Sequence, residues 1–191
     1  QKNINFGQKG IADFPEYGQF ATFHIKGDKK KSYALWLKLA KITDQLCAKT
    51  KYKTVCVRGV DYGLWAQWCK NNNMPLPQGV TGHELLDSKP FINSGGGFWF
   101  QIKSDSEKAC TALLDVIIKE LKPITKKYTE TLAHKIHDGK VFGGRFTDAM
   151  INPVDQVNLS ERVIVGDEDA FYRGSAYVIQ QKFQHNWAQL D

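Results

Sequence analysis

Two kinds of apolar pattern follow one another along the first part of the chain, and their order is the strongest constraint on its fold. Residues 18–26 alternate, with Ala21, Phe23 and Ile25 on one face, which is typical of a half-buried strand. Across residues 31–48 the apolar side chains recur at helical spacing, which predicts an amphipathic helix. They are Leu35, Trp36, Leu39, Ala40, Ile42, Leu46 and Cys47.

A second strand and a short helix are predicted after a brief loop. Residues 54–58 contain β-branched side chains and are expected to form a short strand that Gly59 ends. Asp61 can cap the helical segment that follows, because its carboxylate can accept hydrogen bonds from the first backbone N–H groups. Leu64 and Trp68 share one face of that segment.

The pattern of strand, helix and strand then repeats. Residues 98–103 alternate between apolar and other side chains and predict a third strand. Ser104 and Glu107 have the spacing of a capping box, so a helix is expected to begin there and to stop at Pro123. Residues 128–136 are predicted to form a fourth strand.

The complete order is β-α-β-β-α-β, with one additional short helix. This order is typical of the ferredoxin-like α+β fold, in which helices cover one face of an antiparallel sheet. We assign residues 1–137 to a first ferredoxin-like domain. Residues 138–191 would contain a loop and the opening of a second, incomplete ferredoxin-like domain, with a strand predicted over residues 174–183.

The charge of the chain does not indicate a nucleic-acid partner. The formal net charge is +6, but the dense basic run is confined to residues 29–31, and no arginine stripe with interleaved aromatic residues occurs. Residues 167–169 are all acidic but lack the ligand spacing of a calcium loop, so a solvated turn is expected. No apolar run approaches the ~20 residues of a membrane span, and we expect no membrane partner.

The cysteines indicate neither a zinc site nor a disulfide framework. Cys47, Cys56, Cys69 and Cys110 are scattered without C-x-x-C spacing. The first residues do not have the pattern of a signal peptide. We therefore expect a protein of the reducing cytoplasm. Separately, we expect the protein to be a homo-oligomer.

A glycine-hinged segment, residues 141–153, contains the candidate catalytic group. Asp148 is followed at once by Ala149-Met-Ile151, and Asn152-Pro153 ends the segment as a turn. A carboxylate beside apolar side chains is poorly solvated, so its pKa can be tuned by its surroundings. From the spacing alone, an Asp that merely caps a turn is the favoured interpretation.

Five segments carry a resemblance to a known family. The chain resembles the dye-decolourising (DyP-type) haem peroxidases over nearly all of its length. The family signature is a Gly-x-x-Asp-Gly loop that runs on to Asn-Pro, and Asp148 takes the aspartate position. The segments are Phe20-Ala-Thr-Phe-His-Ile25, Val57-Arg-Gly-Val-Asp-Tyr-Gly-Leu-Trp65, Gly96-Gly-Phe-Trp-Phe-Gln-Ile-Lys-Ser104, Phe146-Thr-Asp-Ala-Met-Ile-Asn-Pro153 and Gly174-Ser-Ala-Tyr-Val-Ile-Gln-Gln-Lys-Phe-Gln-His-Asn-Trp187.

The resemblance implies two ferredoxin-like domains with haem b between them. It implies that Asp148 is the distal acid and base that assists cleavage of hydrogen peroxide. It also implies that Ala149, Met150 and Asn152 lie against the cofactor. The oxidised substrates would be dyes, phenols or similar small organic reductants, since the haem carries the oxidising equivalents.

The sequence departs from the family pattern in two respects. Arg145 and Ala149 stand where the signature has glycines. The proximal histidine that ligates the iron is expected beyond Asp191, so no metal ligand is assigned within this chain. His185 matches a position at the end of a family strand, not the ligand. These departures leave an alternative open, a haem-free ferredoxin-like domain that serves as a binding or assembly module.

Overall fold

The structure is a computed structural model that describes residues 10–11, 13, 15–27, 29–78, 96–135, 140–141, 146–147, 156–180, 182, 186 and 188. Its strands are β1 (Tyr17–Ile25), β2 (Thr54–Val60), β3 (Phe98–Ser104), β4 (Thr125–His134), β5 (Lys140–Val141) and β6 (Phe146–Thr147). Its α-helices are α1 (Lys29–Lys49), α2 (Tyr62–Asn72), α3 (Glu107–Leu121) and α4 (Gln156–Val163). Short 3-10 turns occur at Lys122–Ile124 and Asp167–Asp169. No helix of this described part is long and apolar enough to cross a bilayer.

The first four strands form one antiparallel sheet in the order β2-β3-β1-β4. Strand β1 lies in the interior of the sheet, where Phe23 pairs with Phe98 of β3 on one side and with Tyr128 of β4 on the other. Strand β3 in turn pairs with β2. The predicted β-α-β-β-α-β layout and the ferredoxin-like α+β fold class are therefore confirmed.

Helices cover one face of this sheet, and the core lies between the two layers. Phe23 and Phe100 meet edge to face with ring centroids 5.7 Å apart, and the rings of Trp36 and Trp68 contact Phe98. Aromatic rings in these tilted and edge-to-face arrangements contribute beyond the area that they bury. The buried hydrophobic cluster comprises Ala21, Phe23, Leu39, Cys56, Trp68, Phe98, Phe100, Ile102, Cys110, Leu113, Leu114, Ile117 and Leu121.

A polar contact fixes α1 against β2. The Arg58 guanidinium donates through Nη1 to Thr43 Oγ1 and to Asp44 Oδ1, both at 2.8 Å. The Thr43 hydroxyl is buried and also donates to the Leu39 carbonyl oxygen at 2.8 Å. The arginine thus links a strand to the helix that precedes it, and its charge is paired where it is largely removed from water.

Several predicted boundaries were wrong, among them the start of β4, which lies at Thr125 instead of residue 128. Strand β2 does not end at Gly59 but continues to Val60, since Gly59 pairs with Trp99 across the sheet. A Cβ at Gly59 would lie 3.3 Å from Trp99 Cε3, so a residue without a side chain fits against the indole. Helix α3 is capped by Ser106, whose hydroxyl accepts from Ala109 N, whereas Ser104 is buried and hydrogen-bonds to Thr54 at 2.8 Å.

The strand predicted over residues 174–183 is also absent from the described part of that segment. Ala176 forms a single antiparallel bridge with Ile164, and residues 177–180 are extended without strand pairing. The backbone N–H of Gly174 donates to Val165 O, and that of Val165 donates to Ser175 O. These bonds hold the start of the segment against the residues after α4, so it does not lie alongside a strand edge.

Two leucines on α1 provide a matched test of the core. Leu39 has no exposed surface and Leu37 is 50% exposed. Leu39→Ala should lower the free energy of unfolding by about 2–5 kcal/mol, because a buried cavity remains. Leu37→Ala should change it by less than about 1 kcal/mol. Chemical denaturation followed by circular dichroism measures both, and equal losses would contradict the burial of Leu39.

Candidate functional site

The predicted site residues lie outside the described residues. This applies to Asp148, to Ala149 and Met150, and to Asn152 and Arg145. The described backbone on either side is ordered into regular elements. Strands β5 and β6 pair in antiparallel register, with Lys140 opposite Thr147, and helix α4 begins at Gln156. The Asp148 segment therefore connects the end of a short hairpin to the start of a helix.

The residues after α4 pack against the first domain and contact the segment that follows α2. Val165 is buried, and Asp169 is only 6% exposed. Asp169 Oδ2 accepts a hydrogen bond of 2.8 Å from the backbone N–H of Gln78, far away in the sequence. The expected solvated acidic turn is therefore wrong for Asp169, although Asp167 and Glu168 are exposed as expected. No group of three or more His, Cys, Asp or Glu in the described part of the chain is placed to hold a metal ion.

Glu168 and Asp167 make local contacts that account for their charges. Glu168 Oε1 accepts from Gly166 N at 2.8 Å, and this backbone hydrogen bond is the main reason why the pKa of the carboxyl is lowered. Asp167 forms an ion pair with Arg173. Asp167 and Glu168 thus make only local contacts within the acidic turn. Asp169 is the acid that connects this turn to the rest of the fold.

Tyr172 is the centre of a polar and aromatic cluster that joins the C-terminal part of the described chain to α2. Its hydroxyl accepts from Trp65 Nε1 at 2.9 Å and donates to the Pro75 carbonyl oxygen at 2.6 Å. Cys69 Sγ lies 3.3 Å from the Tyr172 hydroxyl oxygen. The Tyr172 ring also contacts Trp65 edge to face, with centroids 6.3 Å apart.

This arrangement favours the neutral phenol. Burial raises the pKa of Tyr172 to about 12, with a further increase from the hydrogen bond to Cys69, and the hydrogen bond from Trp65 opposes the shift. A hydroxyl that both accepts and donates has to keep its proton, since the Pro75 carbonyl cannot donate in return. Tyr172 can therefore position Trp65 and Cys69 near neutral pH but cannot act there as a base.

The last described residues cross the face of the sheet that the helices leave open. Gln180 contacts the indole N–H of Trp99 through its side-chain oxygen. Val178 Cγ1 lies 3.8 Å from the position that a Cβ on Gly59 would occupy, and Lys182 Nζ donates to Thr131 Oγ1 at 3.4 Å. The segment thus runs from β2 over β3 to β4, although its side chains at 177–179 remain largely exposed.

A buried lysine lies on the same open face. Lys103 of β3 is 7% exposed, and it pairs across the sheet with Val55 and Gly18. Burial lowers the pKa of its ammonium group to about 8, Asp13 opposes this shift, and Lys53 adds to it. Asp13 forms an ion pair with Lys53 at 2.8 Å. The position is unfavourable for a cation, because burial removes the ammonium group from water.

Sequence patterns did not reveal these contacts. Trp65 and Tyr172 are separated by 107 positions in the sequence. The spacing of apolar residues shows which face of a single helix or strand is buried. It does not show which distant side chain that face contacts. The aromatic character of Trp65 and Tyr172 was the one available signal, since buried Trp and Tyr usually find a hydrogen-bond partner.

Comparisons with known proteins bear on the identity of this fold. No protein-family model matches the chain. A dye-decolorizing peroxidase from Mycolicibacterium paratuberculosis is 32% identical over 95 residues, which cover 48% of this chain and 25% of that protein. A solved dye-decolorizing peroxidase from Bacteroides thetaiotaomicron superposes with a TM-score of 0.68 at 18% identity, over 87% of this chain and 55% of that one. The encapsulated DyP-type peroxidase from Mycobacterium smegmatis gives a TM-score of 0.66 at 15% identity, over 87% of this chain and 54% of that one.

The chain has the fold of the dye-decolorizing peroxidases. A variant of DypB from Rhodococcus jostii, solved in complex with haem, gives a TM-score of 0.64 at 20% identity over 87% of this chain and 54% of that one. The resemblance that the sequence motifs indicated is thereby confirmed. The chain spans a quarter of the length of the curated relative and just over half of these solved structures.

The Tyr172 cluster gives a stability prediction. Tyr172→Phe should lower the free energy of unfolding by about 1–3 kcal/mol, because the Trp65 N–H and the Pro75 carbonyl lose their common partner. Tyr52→Phe is the matched control, since Tyr52 is 41% exposed. Urea denaturation of both variants measures the difference. Indistinguishable midpoints for the two variants would contradict the proposed anchoring role of Tyr172.

Lys103 gives a prediction of pH dependence. Its pKa is about 8 in the folded chain against an ordinary value of 10.5, so the unfolded chain binds the proton more tightly. Between these values stability should rise with pH, since the folded state no longer has to bury the cation. The unfolding free energy of Lys103→Met should therefore exceed that of the wild type most below pH 8, and the difference should shrink towards pH 10.

Denaturation series from pH 7 to pH 10 measure this trend in the wild type and in Lys103→Met. Lys49→Met, at the exposed last residue of α1, removes the same charge and should show no such trend. A stability difference for Lys103→Met that stays constant over the whole range would contradict a lowered pKa at this position.

Proposed function

We propose that this chain is the part of a haem-dependent peroxidase that carries its distal acid and base, Asp148. The whole protein would use hydrogen peroxide to oxidise dyes, phenols or similar small organic reductants. The supporting observation is the shared fold of dye-decolorizing peroxidases, which extends over 87% of this chain. The 32% identity to a curated dye-decolorizing peroxidase over 95 residues adds support from sequence.

The proposed cofactor is haem b, which when bound would carry the oxidising equivalents of hydrogen peroxide to the organic reductant. We assign neither of the described histidines as the ligand of its iron. His24 lies in β1 beside Lys126 and Lys127, and His134 of β4 has its ring edge to face against Tyr17. We assign the cofactor contacts of this chain to the Asp148 segment, namely to Ala149, Met150 and Asn152, and assign no metal ligand to this chain.

Asp148 would move a proton between the two oxygens of hydrogen peroxide. Its carboxylate would accept the proton from one oxygen and deliver it to the other as the O–O bond breaks. The neighbouring apolar residues, Ala149-Met-Ile151, would limit the solvation of the carboxylate and so tune its pKa. The short β5–β6 hairpin and helix α4 would hold the ends of the segment, since catalytic loops need a rigid scaffold.

The cellular setting that we propose is the cytoplasm, with the protein acting as a homo-oligomer without nucleic-acid or membrane partners. All four cysteines are free thiols, and Cys56, Cys69 and Cys110 are buried. Buried thiols without disulfides are typical of a reducing compartment. The partners would then be hydrogen peroxide and a small organic reductant.

A haem-free ferredoxin-like module for binding or assembly is the second candidate. The observation that favours it is the replacement of both signature glycines, by Arg145 and by Ala149. A large cation and an added methyl group in the loop would alter a pocket that the family builds with glycine. Haem binding by the full-length protein separates the two candidates.

Replacement of Asp148 tests its role in the full-length protein. Asp148→Asn should lower kcat/KM for hydrogen peroxide by about 10²–10⁴-fold, because the amide cannot accept the proton. Asp155→Asn makes the same change in the segment before α4 and should leave turnover near the wild-type value. Steady-state assays with a phenolic reductant measure both variants at equal haem content. Wild-type turnover in Asp148→Asn would remove Asp148 from the mechanism.

A further inference from the structure

Strand β4 forms one edge of the first sheet. In the order β2-β3-β1-β4 it pairs with β1, and within the described part of the chain no strand pairs with its other side. Its residues, Thr125–His134, are mostly exposed. The backbone N–H and C=O groups on the outer side can therefore hydrogen-bond to a further extended chain, as happens when a peptide adds to the edge of a sheet.

Most of β4 has the regular geometry that an added strand needs. From residue 127 to residue 134 its register with β1 is unbroken. Residues 125 and 127 pair with consecutive residues of β1, so Lys126 between them is the extra residue of a β-bulge. A regular edge thus begins directly after the bulge and extends to the end of the strand.

The two faces of this edge differ in chemistry. Lys127 and Thr129 lie on the open face of the sheet, whereas Tyr128, Glu130 and Leu132 alternate on the face that the helices cover. Tyr128 is nevertheless 43% exposed and Leu132 is 39% exposed. A strand that complements both faces would therefore place polar side chains on the open face and apolar side chains on the other.

Lysines concentrate positive charge at the start of this edge. Lys122, Lys126 and Lys127 are exposed, and none of them forms an ion pair with an acid among the described residues. Their field reaches the neighbouring strand. The pKa of His24 is lowered, chiefly by burial and in addition by the charges of Lys127 and Lys126.

The fold brings further lysines to the same surface. The backbone N–H of Lys26, just after β1, donates to the Ile124 carbonyl oxygen at 2.7 Å. The lysines at 30–31 are exposed in the first turn of α1. On the open face, Lys182 Nζ donates to Thr131 Oγ1 at 3.4 Å. Lysines that are scattered along the sequence thus surround the edge of one strand.

This combination favours an acidic polypeptide as the partner. Lysines and a bulge on an edge strand repel a strand of like charge, and the same lysines attract a strand of opposite charge. The outer backbone groups of β4 can pair with a peptide but not in the same way with a nucleic acid. Lys127 and Tyr128 lie on opposite faces of β4, so they do not form the basic and aromatic platform on which bases stack.

We propose that β4 binds an extended acidic segment of a partner protein as an added strand. The carboxylates of the segment lie beside Lys122, Lys126 and Lys127, and its apolar side chains lie beside Tyr128 and Leu132. The partner segment is recognised by the alternation of acidic and apolar residues. Binding requires neither haem nor peroxide, so its failure and the failure of the proposed function can be told apart.

Fluorescence anisotropy of a labelled peptide, Asp-Val-Asp-Val-Asp-Val-Asp-Val, tests the proposal on the full-length protein. We expect saturable binding. The counterpart in which Asn replaces every Asp should bind at least about tenfold more weakly, because the lysines lose their ionic partners. Affinity for the acidic peptide should also fall as salt rises, since the lysines are exposed.

Two N-methylated versions of the acidic peptide test strand pairing. One version is methylated at every Val nitrogen and the other at every Asp nitrogen, and both keep all charges. Successive N–H groups of a strand point to opposite sides, so only one of the two sets faces β4. One version should therefore bind at least about tenfold more weakly than the parent peptide.

Variants locate the surface. The double variant Lys126→Gln/Lys127→Gln should weaken binding of the acidic peptide by about tenfold or more. Its control is Lys49→Gln/Lys51→Gln, which has the same change in net charge and lies before β2, at the other edge of the sheet. The charge reversal Lys126→Glu/Lys127→Glu should bind a Lys-Val peptide of the same length more tightly than the wild type does. A misfolded variant would not show such a gain, and circular dichroism verifies the fold of each variant.

Four results would overturn the proposal. Equal losses in the two Gln double variants would show attraction by net charge alone. Unchanged affinity of both N-methylated peptides would exclude strand pairing. Equally tight binding of an octamer of deoxythymidine at the same surface would show a general polyanion surface. Absence of saturable binding of the acidic peptide at millimolar concentration would show that β4 does not accept a further strand in the full-length protein.

Discussion

The pairing of β1 between β3 and β4 is the interaction on which the rest of the structure depends. It places Phe23 opposite both Phe98 and Tyr128, so one side chain links the core beneath the helices to the edge of the sheet. The aromatic contacts of Phe23 with Phe100, and of Phe98 with Trp36 and Trp68, follow from this register. A slip of one residue in β1 would turn Phe23 to the open face of the sheet.

A second set of contacts attaches the residues after α4 to this framework. Tyr172 connects Trp65 of α2 with the Pro75 carbonyl, and Asp169 accepts from Gln78 N. Both act on the connection that leaves α2. The chain then crosses the open face of the sheet, where Gln180 meets Trp99. The first sheet thus serves both as a core and as a platform for residues beyond the Asp148 segment.

The strands of the first sheet and the helices that cover it could be predicted from the sequence, because apolar residues recur at every second position in a strand and at every third or fourth position in a helix. Ala21 and Phe23 on β1 are buried as their alternation indicated. Boundaries were less accurate, since Ser104 and Ser106 both suit a cap and only packing decides between them. The strand predicted at 174–183 failed because the segment crosses the open face of the sheet without pairing at an edge. Gln180 contacts Trp99, whereas Ile179, which belongs to the alternating apolar set, is 87% exposed. Asp148 is a prediction from local chemistry and a family motif, whereas the Tyr172 cluster required the fold.

The haem content of the full-length protein is the decisive measurement for the peroxidase proposal. We predict that the protein, purified after expression with an adequate haem supply, contains stoichiometric haem and shows a Soret band. We also predict that hydrogen peroxide perturbs this band. A folded full-length protein that takes up no haem would contradict the peroxidase proposal. The same dye-decolorizing peroxidase fold would then belong to a haem-free module.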